Sequence, residues 1–428
     1  MSNATHGLRW ANIARALKSR NYRLFLFGQG VSLIGTWMQR TALLWLVSTY
    51  FSEARSAAFW LGVVGFSSQI PAIVLTPLAG VLADRWDRHR MIMGTQILAM
   101  LQALVLAVLT LTGVLEIWHI IVLSLWLGAV NAVDVPTRQS FVVEMVDRPE
   151  DLNSAIALNS SIVNGGRMLG PALGGIMTAL FGSGYCFLLN SVSFLAVIFA
   201  LRAMRIKPRM IASARKRILS HLVEGFRYAM GFPPIRGLLL LRASVSLVGL
   251  PYASMLPVFA SHLLGGGPRS YGMLVTGVGV GALSAAIYLA SRSSVLGLGK
   301  VIVIATVVLG TGLIVFSFSR SFVLSLMLMP LLGMGQMLVM ASTNSVLQTI
   351  VDDDKRGRVM SFHSLAFMGM VPIGNLLAGA FARHFGPPLT ISICGGLCIV
   401  TAIVFSKSLP GLRKLVLPVY VRKGISPE

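Results

Sequence analysis

Apolar runs about as long as a bilayer is thick recur along these 428 residues, with short charged segments between them. A helix rises about 1.5 Å per residue, so roughly 20 apolar residues cross the hydrocarbon layer. Inside lipid the backbone finds no water, so each run must satisfy its own N–H and C=O groups as a helix. The runs predict spans at 22–49, 58–83, 90–113, 117–138, 153–181 and 184–204. A second set follows at 236–263, 270–291, 299–319, 321–348, 358–384 and 387–408. Composition agrees, since 12% of residues are charged and 55% hydrophobic, against about 25% charged in soluble domains. The expected fold is an all-α membrane protein with twelve transmembrane helices.

The formal charge of +22 does not imply a nucleic-acid partner, because the basic residues are spread among short loops and form no soluble basic face. They report topology instead. With the N-terminus inside, the cytoplasmic segments hold 29 of the 36 basic residues. The opposite face holds four, Arg55, Arg269, Arg320 and Arg383. Both termini are therefore expected in the cytoplasm, and the lipid bilayer is the first partner. No short apolar core with a cleavage site follows the basic N-terminal residues, so a cleaved signal peptide is not expected.

The chain also repeats. Spans one and seven, and spans six and twelve, start about 203–214 residues apart, which indicates two six-helix units in parallel orientation. The expected organisation is a cytoplasmic N-terminal segment at 1–20, a bundle at 21–204, a basic linker at 205–235, a second bundle at 236–408 and a cytoplasmic tail at 409–428. Within the linker, Arg215, Lys216 and Arg217 cluster, and ILSHLVEGFRYAM reads as amphipathic. That segment is either a helix on the anionic inner leaflet or a solvated connector.

Catalytic and metal chemistry find no foothold. Cys186, Cys394 and Cys398 lie in apolar runs, and the seven histidines show no pair at ligand spacing, so no metal or cofactor is expected. Gly277, Gly279 and Ala282 fit a loose nucleotide fingerprint only inside an apolar helix, and GLGK at 297–300 lacks the rest of a phosphate loop. The chain reads as a non-enzyme.

Charge inside apolar runs is costly, at least about 2.5–3.5 kcal/mol per ion, and needs a reason. Arg40 follows Trp37, Met38 and Gln39 in span one, and Arg167 sits mid-way along span five. Arg167 can bind an anionic substrate group or pair with a helix C-terminus. Asp134, in span four after Asn131 and before Arg138, is the one carboxylate inside a span. It is either a structural partner of Arg138 or of the Asp84–Arg85 loop, or a proton carrier. Arg242 lies two turns inside span seven and is expected to snorkel toward the interface.

Four segments carry a family resemblance. GVLADRWDRHR (80–90) resembles the G-x(3)-D-R-x-x-R loop between spans two and three of the major facilitator superfamily, with Gly80, Asp84, Arg85 and Arg88 in place and Asp87 where many members have glycine. NGGRMLGPALGG (164–175) is similar to the antiporter motif of facilitator-type exporters. Its Gly166, Gly170, Gly174 and Gly175 fall nearly on one helix stripe beside Pro171, and Pro171 allows a bend. Residues 19–47 and VDVPTRQSFVVEMV (133–146) resemble the branch that holds the enterobactin exporter and related secretion-type permeases.

The resemblance, running over most of 18–408, implies the major facilitator fold and proton-coupled efflux of a siderophore, drug or amphipathic metabolite by alternating access. It implies a cell-membrane location and a small-molecule substrate, and the chain is expected to act as a monomer. In this family spans one, four, seven and ten line the cavity. Here that selects Trp37, Gln39, Arg40, Trp126, Asn131, Tyr252, Met255, Gln336 and Met340, alongside Arg167 from span five. The loop-two latch is expected to meet the start of span eleven at Arg356 and Arg358, with Arg138 nearby. Its counterpart after span eight reads LASR, which keeps Arg292 but no aspartate. The rival readings are an importer or lysophospholipid-type flippase of the same fold, and a non-transporting scaffold or receptor.

Overall fold

Each apolar run is largely helical over its described residues in the computed structural model, which describes residues 15–76, 86–205, 218–292 and 294–425. The helices are α1 (Arg20–Tyr50), α2 (Ala54–Thr76), α3 (Arg88–Leu111), α4 (Ile117–Met145), α5 (Leu152–Phe181) and α6 (Ser183–Ala203). A linker helix, Ile218–Gly231, precedes α7 (Pro233–Leu263), α8 (Pro268–Ala290), α9 (Leu298–Phe318), α10 (Phe322–Ile350), α11 (Arg356–Phe385) and α12 (Pro387–Arg422). No strand occurs among the described residues. Ten of these helices are long and apolar enough to cross a membrane. The other two, α1 with 31 residues and α5 with 30, match them in length.

Local chemistry sets the ends. Asp87 Oδ1 accepts from the Arg90 backbone N–H at 2.8 Å and so starts α3 at Arg88. Ser321 caps α10 in the same way through Leu324 N. Gly182 (φ +89°) and Gly386 (φ +85°) are the single-residue joints between α5 and α6 and between α11 and α12. Their left-handed φ suits glycine alone without strain, and they hold equivalent places in the two repeats. Pro171 does not break α5, which stays helical from Leu152 to Phe181. α12 runs past 408 to Arg422, so most of the expected tail is helix.

The described residues fall into two compact units, the first drawn from Met1–Leu43 with Ile70–Ser213, the second from Leu44–Gln69 with Ala214–Glu428. In the first, the small residues of α5 admit α1. A Cβ on Gly166 would sit 3.2 Å from Leu33 Cβ, and one on Gly174 would sit 3.0 Å from Met38 O. One end of this unit is closed by an apolar core of Tyr22, Phe25, Ile92, Phe141, Met145 and Leu201.

In the second unit the same device recurs. Gly62 of α2 meets Gly379 of α11, Gly310 of α9 meets Gly395 of α12, and Gly281 of α8 meets Pro330 of α10. This close α2–α11 packing explains why residues 44–69 belong to the second unit, although counting spans alone would group them with the first.

The linker helix docks on the start of α11. Glu224 pairs with Arg358 at 2.8 Å, Phe226 meets Phe362 edge-on, and Tyr228 donates to Asp352 at 3.0 Å. Lys355 Nζ lies 4.5 Å over the Tyr228 ring. The Arg215–Arg217 cluster lies outside the described residues.

Candidate functional site

The glycine stripe decides what surrounds Trp37. Gly170 lacks the Cβ that would collide with Trp37 Cβ, so α1 and α5 approach closely enough for Arg167 to reach the indole. Arg167 Cζ lies 5.3 Å from the ring centroid, and Arg40 Cζ, one turn along α1 from Trp37, lies at 5.2 Å. Each contact contributes about 0.5–2 kcal/mol, the upper value when water is excluded. Both arginines are exposed, and Arg167 feels the charge of Arg40. One aromatic plate with two cations on it can hold an apolar ring and an attached anion together.

Gln39 points the other way. It is 3% exposed and forms the centre of an amide ladder. Its Nε2 donates to Gln102 Oε1 at 3.0 Å, and Asn190 Nδ2 donates to its Oε1 at 2.7 Å. Gln102 Nε2 continues to Leu123 O at 3.3 Å. The ladder ties α1, α3, α4 and α6 together, so Gln39 shares the helix but not the surface of Trp37 and Arg40. Sequence reading missed Gln102 and Asn190. The available signal was three amides isolated inside apolar runs, each needing a partner.

Asp134 is 1% exposed. Its Oδ1 accepts from Thr95 Oγ1 and Gln96 Nε2, both at 2.8 Å, and its Oδ2 is ion-paired with Arg138 one turn along α4. The bonds from Thr95 and Gln96 tie α3 to α4 through this one carboxylate. Nearby, Arg88 pairs with Glu144 of α4 at 3.0 Å and reaches Ser140 O at 3.3 Å. Glu144 lies in a segment quoted only for its resemblance, and its role as the partner of Arg88 went unread. Gly80, Asp84 and Arg85 lie outside the described residues.

On α4, Trp126 and Asn131 are five residues apart, hence roughly 140° apart around the axis. Both are exposed, on different faces. Trp126 lines a shallow apolar cleft of about 210 Å³ with Leu101, Val105, Trp118 and Val122 of α3 and α4. Asn131 faces away from it.

In the second unit, Tyr252 of α7 donates to Gln336 of α10 at 3.5 Å. Met340 lies one turn beyond Gln336 and is exposed, while Met255 and Tyr252 are buried. Arg356 pairs with Asp353 within its own turn, and Arg358 takes Glu224 of the linker helix as a partner. Tyr228, beside them, has its phenol pushed above the usual range, first by burial and then by nearby Asp352 and Asp354.

Arg242 corrects an expectation. It does not snorkel, being 1% exposed with its guanidinium 4.5 Å from the Phe367 ring of α11. The α7 backbone passes through a π-helical turn at Val245–Gly249 directly after it. The Arg242 side chain stays buried within the unit.

Comparison with known proteins fits this architecture. The family described as transmembrane secretion effector matches residues 11–416. The staphyloferrin A transporter of Staphylococcus aureus is 25% identical over 90% of this chain and 95% of that protein. The multidrug efflux pump Tap of Mycolicibacterium fortuitum is also 25% identical, over 92% and 96%. Among solved structures, a bacterial homologue of the human lysosomal transporter Spinster superposes with a TM-score of 0.73 at 14% identity, covering 92% of this chain and 97% of that one. A D-xylose–proton symporter gives 0.70 at 14%, covering 89% and 97%. The chain belongs to the transmembrane secretion effector family of major facilitator transporters, and it is a multi-pass protein of the cell membrane and not an enzyme.

Proposed function

We propose that this chain is a proton-driven secondary transporter that exports amphipathic molecules carrying an anionic group, such as siderophores. The observation that carries the reading is Trp37 with Arg40 and Arg167 against its ring. Two exposed cations on an aromatic plate suit a guest whose apolar body stacks and whose carboxylate takes guanidinium hydrogen bonds. The names of the relatives, a siderophore transporter and multidrug efflux pumps, support that class of cargo.

Asp134 is the proposed coupling group. Protonation would remove its charge, weaken its bonds from Thr95 and Gln96 of α3 and its pairing with Arg138, and let α3 and α4 separate. The proposed topology has twelve crossings with both termini cytoplasmic, in bundles at 21–204 and 236–408. The motif residues Gly166, Gly170, Pro171, Gly174 and Gly175 would keep α1 and α5 packed while access alternates. Gly80, Asp84, Arg85, Arg88, Arg356 and Arg358 would gate the cytoplasmic side.

The test is transport in proteoliposomes with a panel of carboxylate siderophores, neutral drugs and cationic drugs. Efflux against inward proton flow, strongest for anionic cargo and weakened at least tenfold in Arg167→Ala, is the expected result. Movement with the proton flow would make the protein an importer. Binding without counterflow would make it a receptor. Either result rejects the proposal.

A further inference from the structure

One cation in the second unit has donors with nothing to meet. Arg242 of α7 is 1% exposed, so its head group does not reach water. An arginine stays protonated in proteins, so it cannot shed the charge as a buried lysine can. The Phe367 ring covers one face of the guanidinium plane at 4.5 Å. A ring face does nothing for the donors in that plane. Nε and Nη1 of Arg242 have no acceptor among the described residues.

Hydroxyl groups in the same region share this condition. Ser246 lies one turn further along α7, and Ser342 lies on α10. Both are fully buried, and neither Oγ has a hydrogen-bond partner among the described residues. The residue after Ser342, Thr343, has its Oγ1 3.4 Å from His363 Nε2 of α11. His363 stands one turn before Phe367 and feels the Arg242 charge. The three helices that carry these unused donors, α7, α10 and α11, pack on one another within this unit.

No carboxylate pairs with Arg242 among the described residues, and a buried cation without a counter-charge is costly. A water could accept one hydrogen bond there without neutralising anything. We propose that Arg242, with Ser246 and Ser342, forms a buried site for a compact monovalent anion, either a halide or a single carboxylate group. Such a guest accepts hydrogen bonds from guanidinium and hydroxyl donors together and cancels the charge. The full burial of Arg242, with the Phe367 ring over its guanidinium, favours a small one. This site is separate from Arg40 and Arg167, and its test does not depend on the direction of transport.

The experiment is thermal unfolding of the purified full chain in detergent at constant ionic strength. A bulky sulfonate buffer anion is replaced stepwise by chloride, bromide or formate. A saturable rise in Tm with chloride and bromide identifies a free halide as the guest, and a rise with formate alone identifies a carboxylate. Arg242→Gln should abolish the rise. Ser246→Ala combined with Ser342→Ala should shift its midpoint to about tenfold higher anion concentration, the loss expected for hydrogen bonds to a charged partner. A wild-type Tm indifferent to all three anions overturns the proposal, as does an unchanged titration in Arg242→Gln. If that variant does not yield folded protein, the serine double variant decides, and an unchanged midpoint there overturns it as well.

Discussion

Replacing Gly170 by alanine should loosen the first unit at one known point. The added Cβ would collide with Trp37 Cβ and lie 3.0 Å from Ile34 O and 3.2 Å from Met38 N. Two of these three neighbours are backbone atoms, and the third is fixed to the backbone, so none can swing aside. α1 must therefore move away from α5. Overpacking of this kind costs about 1–3 kcal/mol, or roughly 5- to 150-fold in an equilibrium constant. Gly165 supplies the control on the same helix, because a Cβ there meets nothing within 4 Å. Alanine at 165 should be neutral or stabilising by up to about 1 kcal/mol through helix propensity. The assay is thermal unfolding of both variants in one detergent, paired with quenching of tryptophan fluorescence by the cargo. Gly170→Ala should lower Tm and weaken cargo binding, since moving α1 separates Trp37 from Arg167, while Gly165→Ala should do neither. Equal behaviour of the two variants would refute the packing argument.

Further outcomes follow from other contacts. Gln39→Leu strands the Gln102 and Asn190 amides, and should destabilise by about 1–3 kcal/mol for each group left unsatisfied, read as a lower Tm with cargo specificity kept. Asp134→Asn should abolish pH-driven efflux in proteoliposomes while downhill exchange continues, and an unchanged pH dependence would reject the coupling role. Glu224→Gln with Tyr228→Phe removes both polar ties of the linker helix to its α11 side, and should speed amide hydrogen exchange across 218–231. The tie should also have a pH limit. The Tyr228 phenol titrates above its ordinary value, so its stabilising contribution is whole below about pH 10 and fades as pH rises through the folded value.

Much of this fold was legible because membranes restrict the alternatives. Most of the apolar runs gave the described helices to within a few residues, although α4 extends to Met145 and α12 to Arg422, and the stripe of glycines in 164–175 marked where a neighbour would press close. The sequence did not say which helix the stripe would meet. It also could not reveal that Gln39 turns inward while Arg40, the next residue, stays out. Periodicity groups positions by face, but only packing decides whether a face meets protein or lipid. Trp126 shows the same limit, since its place on a helix was legible and the cleft it shares with Leu101 and Val105 of α3 was not. Arg242 failed for an energetic reason. Depth of two turns suggested that its side chain could reach the interface, yet the guanidinium packs on the Phe367 ring and stays buried. The docking of the linker helix rests on Glu224 and Arg358, 134 residues apart in sequence, a separation that no local pattern encodes.

Uptake into inverted membrane vesicles tests the export account most directly, because their outer surface is the cytoplasmic face. With the lumen made acid, labelled anionic cargo should accumulate inside. Accumulation should collapse with a protonophore and fall at least tenfold in vesicles carrying Arg167→Ala. Cargo that binds the purified protein yet never enters the acid lumen, or that leaves preloaded vesicles as protons leave, would contradict it.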